Sequence, residues 1–421
     1  MQNFGKIIFK IDKVLEEKNI SKNKLEKEAN LQRTQLNSYC NNKVKRIDLE
    51  TIAKICCVLE CKVEDIVEYC RWLTMYKSID LFAGIGGIRL GFDQAFGNDI
   101  ETVFVSEWDK KAQETYIANF GELPKIFGDI TKINEIDIPI HDILLAGFPC
   151  QAFSLAGQKK GFEDTRGTLF FDVARIVEFH KPKVVFCENV KNLVNHDRGK
   201  TFKIIKKTLN DLGYRVFYKV INSKDYGVPQ NRERIYIVAF REDISPNKFI
   251  FPEKTDDTKV IADIMEEKET SPKYYLSDVY LESLRKHKQR HQAKGNGFGY
   301  EIRDINSIAG AIVCGGMGRE RNLIIDKRLT DFKPVTHIKG KINREYIRKM
   351  TPREWARLQG FPDEFKLVVA DTHLYKQFGN SVTVPVIKAI AENIKKQLEG
   401  VIVEDVVQNE EYYEQLEFAW R

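Results

Sequence analysis

The chain has 421 residues, 43% of them hydrophobic and 30% charged, with a net charge of +6. That balance is ordinary for a globular protein with two or three domains and large cores. No apolar run approaches the ~20 residues of a membrane span. Met1–Lys6 does not open a signal peptide, so membrane and secreted classes are set aside and a cytoplasmic protein is expected. The charge is unevenly placed: residues 1–76 carry +3, residues 241–350 carry +5 and the remainder −2. Two basic segments flanking a slightly acidic one hint at a polyanionic partner.

In chain order, Phe4–Lys18 has helical apolar spacing through Ile7, Ile8, Ile11, Val14 and Leu15. Ser21 reads as the cap of a short helix over Lys22–Ala29. A turn at Asn30-Leu31 leads to a second short helix, Gln32–Cys40, and Leu49–Glu60 and Val63–Tyr69 read as two more. Five of the eight cysteines lie in this region. Cys57-x-x-x-Cys61 has no second pair to complete a zinc site, so core packing is expected and no metal. Short helix, turn and short helix in a small helical unit resembles the Cro/repressor-like helix-turn-helix family over residues 7–69. The resemblance implies that the second helix enters the major groove, with Gln32, Arg33, Thr34, Gln35 and Asn37 facing DNA and Lys43, Lys45 and Arg46 facing phosphates. A helical protein-interaction domain is the alternative.

Lys77–Phe82 reads as a strand, Ala83–Gly87 as a glycine-rich turn, and Ile88 opens a helix. Such a turn lets backbone approach a ligand at a helix N-terminus, although the spacing is not the dinucleotide fingerprint. A strand over Thr102–Val105 ends in Ser106-Glu107-Trp108-Asp109, where the acid can bind ribose hydroxyls and the indole can pack on a base. Asp129 is a third strand-end group, so the three are expected to converge on one crevice. Asp142–Ala146 is a buried strand, broken by Gly147 and Pro149, which puts Cys150 on a turn at the sheet's ligand-binding edge. A thiolate there would be a nucleophile; a buried inert thiol is the bland alternative. Lys183–Cys187 is another strand, ending in Glu188-Asn189-Val190. Before the strand Ile235–Phe240, alternation puts Gln230, Arg232 and Arg234 on one face.

Six stretches in this order resemble the DNA (cytosine-5-)-methyltransferase family of restriction–modification systems. They are Asp80–Gly87, Gly147–Ser154, Glu188–Val190, Gln230–Arg234, Thr351–Pro362 and Gln377–Val382. The resemblance implies an α/β fold: a Rossmann-like methyltransferase domain over 77–245 completed by 372–400, and a smaller target-recognition domain over 246–371. An all-α helix-turn-helix domain over 1–72 would precede them and a tail over 401–421 would follow. It implies S-adenosylmethionine as cofactor, held by Phe82, Gly84, Gly86, Gly87, Glu107, Trp108, Asp129, Ile130, Pro149, Asn380, Ser381 and Val382. It implies that Cys150 adds to C6 of a flipped cytosine, that a protonated Glu188 serves N3, and that Arg232 and Arg234 orient the base. Gln151 and Ser154 would touch DNA, although Ala156 stands where the family often has serine. Cys187 is expected in the core.

Residues 241–345 follow neither strand nor helix rhythm, and Phe251–Thr270 reads as a linker. Arg285–Lys294 is strongly basic, and Arg319 and Arg321 are candidates for guanine contacts. The run Gly295–Tyr300 resembles recognition segments of enzymes acting on CCWGG or CCNGG-like sites. The same resemblance implies protection from a partner endonuclease and autoregulation through operator DNA. The expected partner is double-stranded DNA, with no membrane; the enzyme is expected as a monomer, and dimerisation on an operator is allowed. An RNA cytosine methyltransferase, or a regulator with an inactive enzyme half, are the rival readings.

Overall fold

The computed structural model describes residues 6–44, 46–70, 75–149, 169–315, 318–333 and 340–400. Lys45, Ala156 and the tail from Val401 lie outside the described residues. The chain forms two compact units, Met1–Met75 and Tyr76–Arg421.

In the first unit, β1 (Lys6–Phe9) precedes α1 (Ile11–Glu17), α2 (Lys22–Glu28), α3 (Arg33–Cys40), α4 (Leu49–Leu59), α5 (Val63–Ile66) and β2 (Val67–Cys70). Ser21 does cap α2, accepting from the Lys24 N–H at 3.3 Å. Both ends of the unit correct the helical reading. Lys6–Phe9 and Val67–Cys70 pair as antiparallel strands, Ile7 opposite Tyr69 and Phe9 opposite Val67. The β-branched and aromatic residues there favour strands once a partner strand is present, and that partner lies some sixty positions away. Ile11, Val14, Leu15, Leu25, Leu36, Ile52, Ile55 and Ile66 form the core. Cys56 and Cys61 pack partly against it, but Cys57 is exposed, which corrects the core reading for that residue.

The second unit opens with β3 (Tyr76–Leu81), α6 (Gly87–Phe96), β4 (Ile100–Ser106), α7 (Lys110–Phe120), β5 (Ile126–Phe127) and β6 (Ile143–Ala146). It continues with α8 (Leu169–His180), β7 (Val184–Val190), α9 (Lys200–Asp211), β8 (Tyr214–Asn222), β9 (Gln230–Asn231) and β10 (Glu233–Arg241). The seven-stranded sheet has the order β5-β4-β3-β6-β7-β10-β8. Strands β3 to β7 run parallel, and β10 is antiparallel to both neighbours. The winding reverses between β3 and β6, so their C-terminal ends open the crevice where such sheets bind ligands. Alternate residues face opposite layers. Ile79, Leu144, Val185 and Ile237 pack with Val173, Val177, Ile205 and Leu209 of α8 and α9. Ile143, Leu145, Phe186 and Val238 face the other way, towards Phe92 and Phe96 of α6. Cys187 lies in the first of these layers, fully buried, and burial pushes its thiol up to about 12.

The rest of the unit comprises α10 (Asp278–Ala293), β11 (Ala309–Gly310), β12 (Leu323–Ile325) and β13 (Ile347–Lys349), then α11 (Pro352–Leu358), α12 (Asp371–Asn380) and α13 (Val384–Leu398). The 16-residue α10 corrects the expectation of no regular rhythm between 241 and 345. Ser277 caps it, and it buries only Leu281 and Leu284, too narrow an apolar stripe to stand out in so basic a stretch. Helix α13 returns to the sheet, packing Ile387, Ile390 and Ile394 beside Phe92 and Phe96. Gly91 permits this: a Cβ there would lie 2.5 Å from Ile387 Cβ. No helix among the described residues is long and apolar enough to cross a membrane.

One buried ion-pair cluster ties β13 to α11. Arg348 is fully buried; its Nη1 and Nη2 each donate to Glu354 at 2.7 Å, and its Nε donates to Asp326 at 2.8 Å. Burial works to raise Asp326, but Arg328 and Arg348 bring it down to about 2. Its stabilising contribution is therefore present above the ordinary carboxylate range and is lost as pH falls towards about 2. Arg348→Ala would leave the buried Glu354 without its cation and Asp326 with Arg328 alone, and is expected to cost about 3–5 kcal/mol. Urea unfolding at pH 7 measures this; a loss below about 1 kcal/mol would show that water or rearrangement satisfies both acids.

Candidate active site

A cavity of about 440 Å³ opens at the crevice between the C-terminal ends of β3 and β6. Its floor is the turn after β3, closed by the Gly86 N–H to the Ala83 carbonyl at 2.8 Å. Gly84 and Gly86 have φ of 56° and 81°, and Phe82 shares the left-handed conformation at 55°. That is strained for a phenylalanine, and such strain gathers where backbone must meet a ligand. A Cβ on Gly84 would meet nothing within 4 Å, so this residue faces open space. A Cβ on Gly87 would come within 2.7 Å of Ser381 Oγ, which is how the end of α12 closes on the start of α6.

Glu107 follows β4. Its Oε2 accepts from the Gly84 N–H and its Oε1 from the Asp109 N–H, both at 2.7 Å. Burial raises its pKa, and these two bonds oppose the rise. Each oxygen keeps a lone pair for a hydroxyl from the cavity. Trp108 beside it is 73% exposed yet lines the cavity, an uncovered aromatic face. Asp129 and Ile130 also line it; Asp129 Oδ1 accepts from the Thr131 N–H at 3.1 Å. Asn380, Ser381 and Val382 form the far rim. A free carboxylate edge, an uncovered indole and glycine backbone facing open space fit a nucleoside-bearing cofactor.

Pro149 lines the same cavity. Cys150, Gln151 and Ser154 lie outside the described residues. The chain leading to them is held by Asn189, whose Nδ2 donates to the Phe148 carbonyl at 2.8 Å. Asn189 was not assigned a role from the sequence; being a buried amide beside an acid at a strand end is its only local signal.

Glu188 is buried at the end of β7, next to the cavity. Arg234 Nε lies 3.3 Å from its Oε1, an ion pair by distance but not aligned as a hydrogen bond, so that oxygen has no donor. Burial raises the carboxyl's pKa, against the pull of Arg234 and Arg232. A buried acid whose pKa is raised, with one oxygen unpartnered, can serve a polar edge entering the cavity.

The two arginines divide their work. Arg234 Nη1 donates only to the neighbouring Glu233 carbonyl. Arg232 is 2% exposed and spends both terminal nitrogens on backbone: Nη1 on the Ile312 carbonyl at 2.7 Å, and Nη2 on the Ser381 carbonyl at 2.6 Å. Burial presses its pKa down to about 9, which still leaves it charged at neutral pH. Gln230, on the same face, accepts from the Ile312 N–H at 3.0 Å and donates to the Leu358 carbonyl at 2.8 Å. Gln359 also grips the Ser381 carbonyl, at 3.1 Å. These buried amides and Arg232 fix the cavity's rim.

The remaining candidates do not line this cavity. Arg319 lies over the Tyr375 ring at 5.4 Å, and Arg321 over the Phe298 ring at 5.5 Å. In the first unit Gln32, Arg33 and Thr34 are exposed at the start of α3. Gln35 is half-buried and donates to Thr51 Oγ1 of α4 at 2.8 Å, so its amide is partly committed.

Residues 76–396 match the family described as C-5 cytosine-specific DNA methylase, and residues 10–70 match the Cro/C1-type HTH DNA-binding domain. The chain is 59% identical over 327 residues to the Type II methyltransferase M.HpaII of Haemophilus parainfluenzae, covering 77% of this chain and 90% of that one. It is 51% identical over 327 residues to the Type II methyltransferase M.SsoII of Shigella sonnei, covering 77% and 81%. The solved structure of the Entamoeba histolytica methyltransferase EhMeth shares the fold, with a TM-score of 0.59 at 19% identity, covering 78% of this chain and 99% of that one.

Proposed function

The chain belongs to the C-5 cytosine-specific DNA methylase family, and on that premise we propose how its own residues carry methyl transfer to C5 of cytosine in duplex DNA. The cofactor is S-adenosylmethionine. Trp108, Asp129, Ile130, Phe82 and Pro149 hold its adenine end and Glu107 its ribose, with Gly84, Gly86, Gly87, Asn380, Ser381 and Val382 around its amino-acid end. When bound, it supplies an electrophilic methyl group on a sulfonium. Cys150 is the nucleophile: its thiolate adds to C6 of a cytosine swung out of the helix, which makes C5 electron-rich. Glu188 gives its proton, or a hydrogen bond, to N3 as charge gathers there. Arg234 faces the base carbonyl. Arg232 acts through the rim it braces rather than by touching the base. Loss of the C5 proton then expels the thiolate.

The observation that carries this reading is the unpartnered, buried Glu188 Oε1 beside Arg234, opening on the cavity that Gly84 and Trp108 also line. The test is methyl transfer from labelled S-adenosylmethionine to unmethylated duplex DNA, followed by bisulfite sequencing. Methylation at one short motif supports the reading; transfer only to structured RNA overturns it. Residues 246–371 are proposed to read the target, with Arg319 and Arg321 at base edges, Gln151 and Ser154 beside the flipped base, and a CCWGG/CCNGG-like sequence as the site. Modification confined to another motif overturns that last part alone.

Trp108→Ala is expected to raise the KM for S-adenosylmethionine roughly tenfold through the loss of one stacked ring, with kcat nearly unchanged. An unchanged KM would remove Trp108 from the cofactor site. The modification protects DNA within a restriction–modification system. For the first unit we propose binding to operator DNA through Gln32, Arg33 and Thr34, with Gln35 supporting α3 from behind. Specific binding of the full chain to its own promoter, lost in Arg33→Ala, would be the result expected.

A further inference from the structure

The N-terminal unit holds a pair of thiols that neither DNA binding nor methyl transfer uses. Helix α4 ends at Leu59, and Glu60 takes the left-handed conformation, with φ 46° and ψ 49°. The Cys61 N–H then returns to the Cys56 carbonyl at 3.1 Å, and the Glu60 N–H to the Cys57 carbonyl at 3.3 Å. These two bonds make the Schellman end of a helix, in which the side chains of the outer bonded residues pack on each other. Here both of those side chains are cysteines. Each is half-buried against the unit's core.

We propose that Cys56 and Cys61 form a thiol-oxidation site, closing to a disulfide that clasps the end of α4 to the segment leading into α5 when the protein meets a peroxide. A disulfide needs Cα atoms roughly 4.4–6.8 Å apart, and a turn closed by the hydrogen bond from Cys61 to Cys56 holds its ends at about that separation. The clasp can therefore close without moving the helix.

Burial raises both thiols, Cys61 to about 11, so the step draws on a small thiolate fraction, taken here at Cys56. Its thiolate attacks one oxygen of hydrogen peroxide. The O–O bond breaks, the departing hydroxide takes a proton to become water, and Cys56 is left as a sulfenic acid. The Cys61 sulfur then attacks that sulfur. The S–S bond forms, the S–O bond breaks, and a second water leaves with the Cys61 proton. Two thiols lose two electrons and two protons, and the peroxide becomes two waters. A bond of this kind in a reducing compartment is transient and belongs to sensing rather than to structure. It also reaches the DNA-binding helix, because Gln35 of α3 rests on Thr51 of α4.

The experiment treats the full chain with hydrogen peroxide, alkylates the remaining thiols and weighs the peptides. A loss of two hydrogens in the peptide carrying both residues is expected. It persists in Cys57→Ser, disappears in Cys56→Ser and in Cys61→Ser, and reverses with dithiothreitol. Amide exchange across residues 56–66 slows several-fold in the oxidised wild-type protein. The proposal is overturned if all three thiols stay open to alkylation after peroxide. It is equally overturned if the loss persists in Cys56→Ser, which would make Cys57 the partner, or if the bond forms only between chains.

Discussion

Replacing Cys150 by serine is expected to lower methyl transfer to duplex DNA by roughly 10⁴-fold or more, the scale on which removing a nucleophile acts. The serine hydroxyl stays protonated at neutral pH and is a poor nucleophile towards C6. The cofactor side of the cavity does not depend on the thiol. Glu107, Trp108 and the glycine turn are positioned by β3, β4 and their own hydrogen bonds. Cofactor binding, followed by equilibrium dialysis with labelled S-adenosylmethionine, should therefore stay within about threefold of wild type, since no contact worth a full kcal/mol is lost. The combination of lost transfer and kept binding is the result that assigns chemistry to Cys150. A variant retaining a tenth of the wild-type rate would mean that covalent addition is not required, and the mechanism proposed above would fall.

Glu188→Gln is expected to lower kcat by about 10²–10⁴-fold, the usual worth of a positioned general acid. The amide can still donate a hydrogen bond but has no proton to transfer. The pH dependence separates this from a simple loss of shape. Burial lifts the Glu188 pKa, so the proton is held to higher pH than an ordinary carboxyl would hold it. Wild-type turnover should fall as pH rises through that lifted pKa, and the alkaline limb should vanish in the variant. The variant should lose activity but gain stability. A carboxyl whose folded pKa is raised favours the fold when protonated, and that contribution is lost as pH rises through the folded value. The neutral glutamine escapes the loss, so the variant should melt above wild type at pH 7, and the gap should close below the unfolded pKa of ~4.3. Such an exchange of stability for function is common at active sites. A variant that keeps the alkaline limb, or that turns over within about fivefold of wild type, would take the acid's role from Glu188.

Much of the site was legible because its chemistry is written in short spans. Asp80–Gly87 carries its strand, turn and helix start within eight positions, and Glu188 sits at the end of an uninterrupted apolar run. What depends on distant partners was not legible. The side-chain alternation that puts Arg232 and Arg234 on one face does not say where their nitrogens go. Arg232 ends on the carbonyls of Ile312 and Ser381, 80 and 149 positions away, and so becomes a brace for the rim. Likewise β1 and β2 are strands because each finds the other across the whole first unit, whereas the local spacing of Ile7, Ile8 and Ile11 reads as helix. Helix α10 was hidden for the opposite reason: its cap is local, but its two buried leucines are too few to set a rhythm.

The return of α13 to α6 has a consequence for the order in which this protein comes into being. A ribosome synthesises the whole of the first unit before it reaches β3, and the described core of that unit is built from residues between Phe9 and Val67. The cavity of the second unit, by contrast, takes Ser381 and Val382 for its rim, and its floor rests on a helix against which α13 packs Ile387, Ile390 and Ile394. At 5–20 residues per second, translation from the end of the first unit to the end of α13 takes on the order of tens of seconds. During that interval a nascent chain can own a finished helix-turn-helix head while the cavity of its enzyme half still lacks its rim. On the function proposed above, each newborn molecule thus passes through a stage in which it can occupy DNA but cannot modify it.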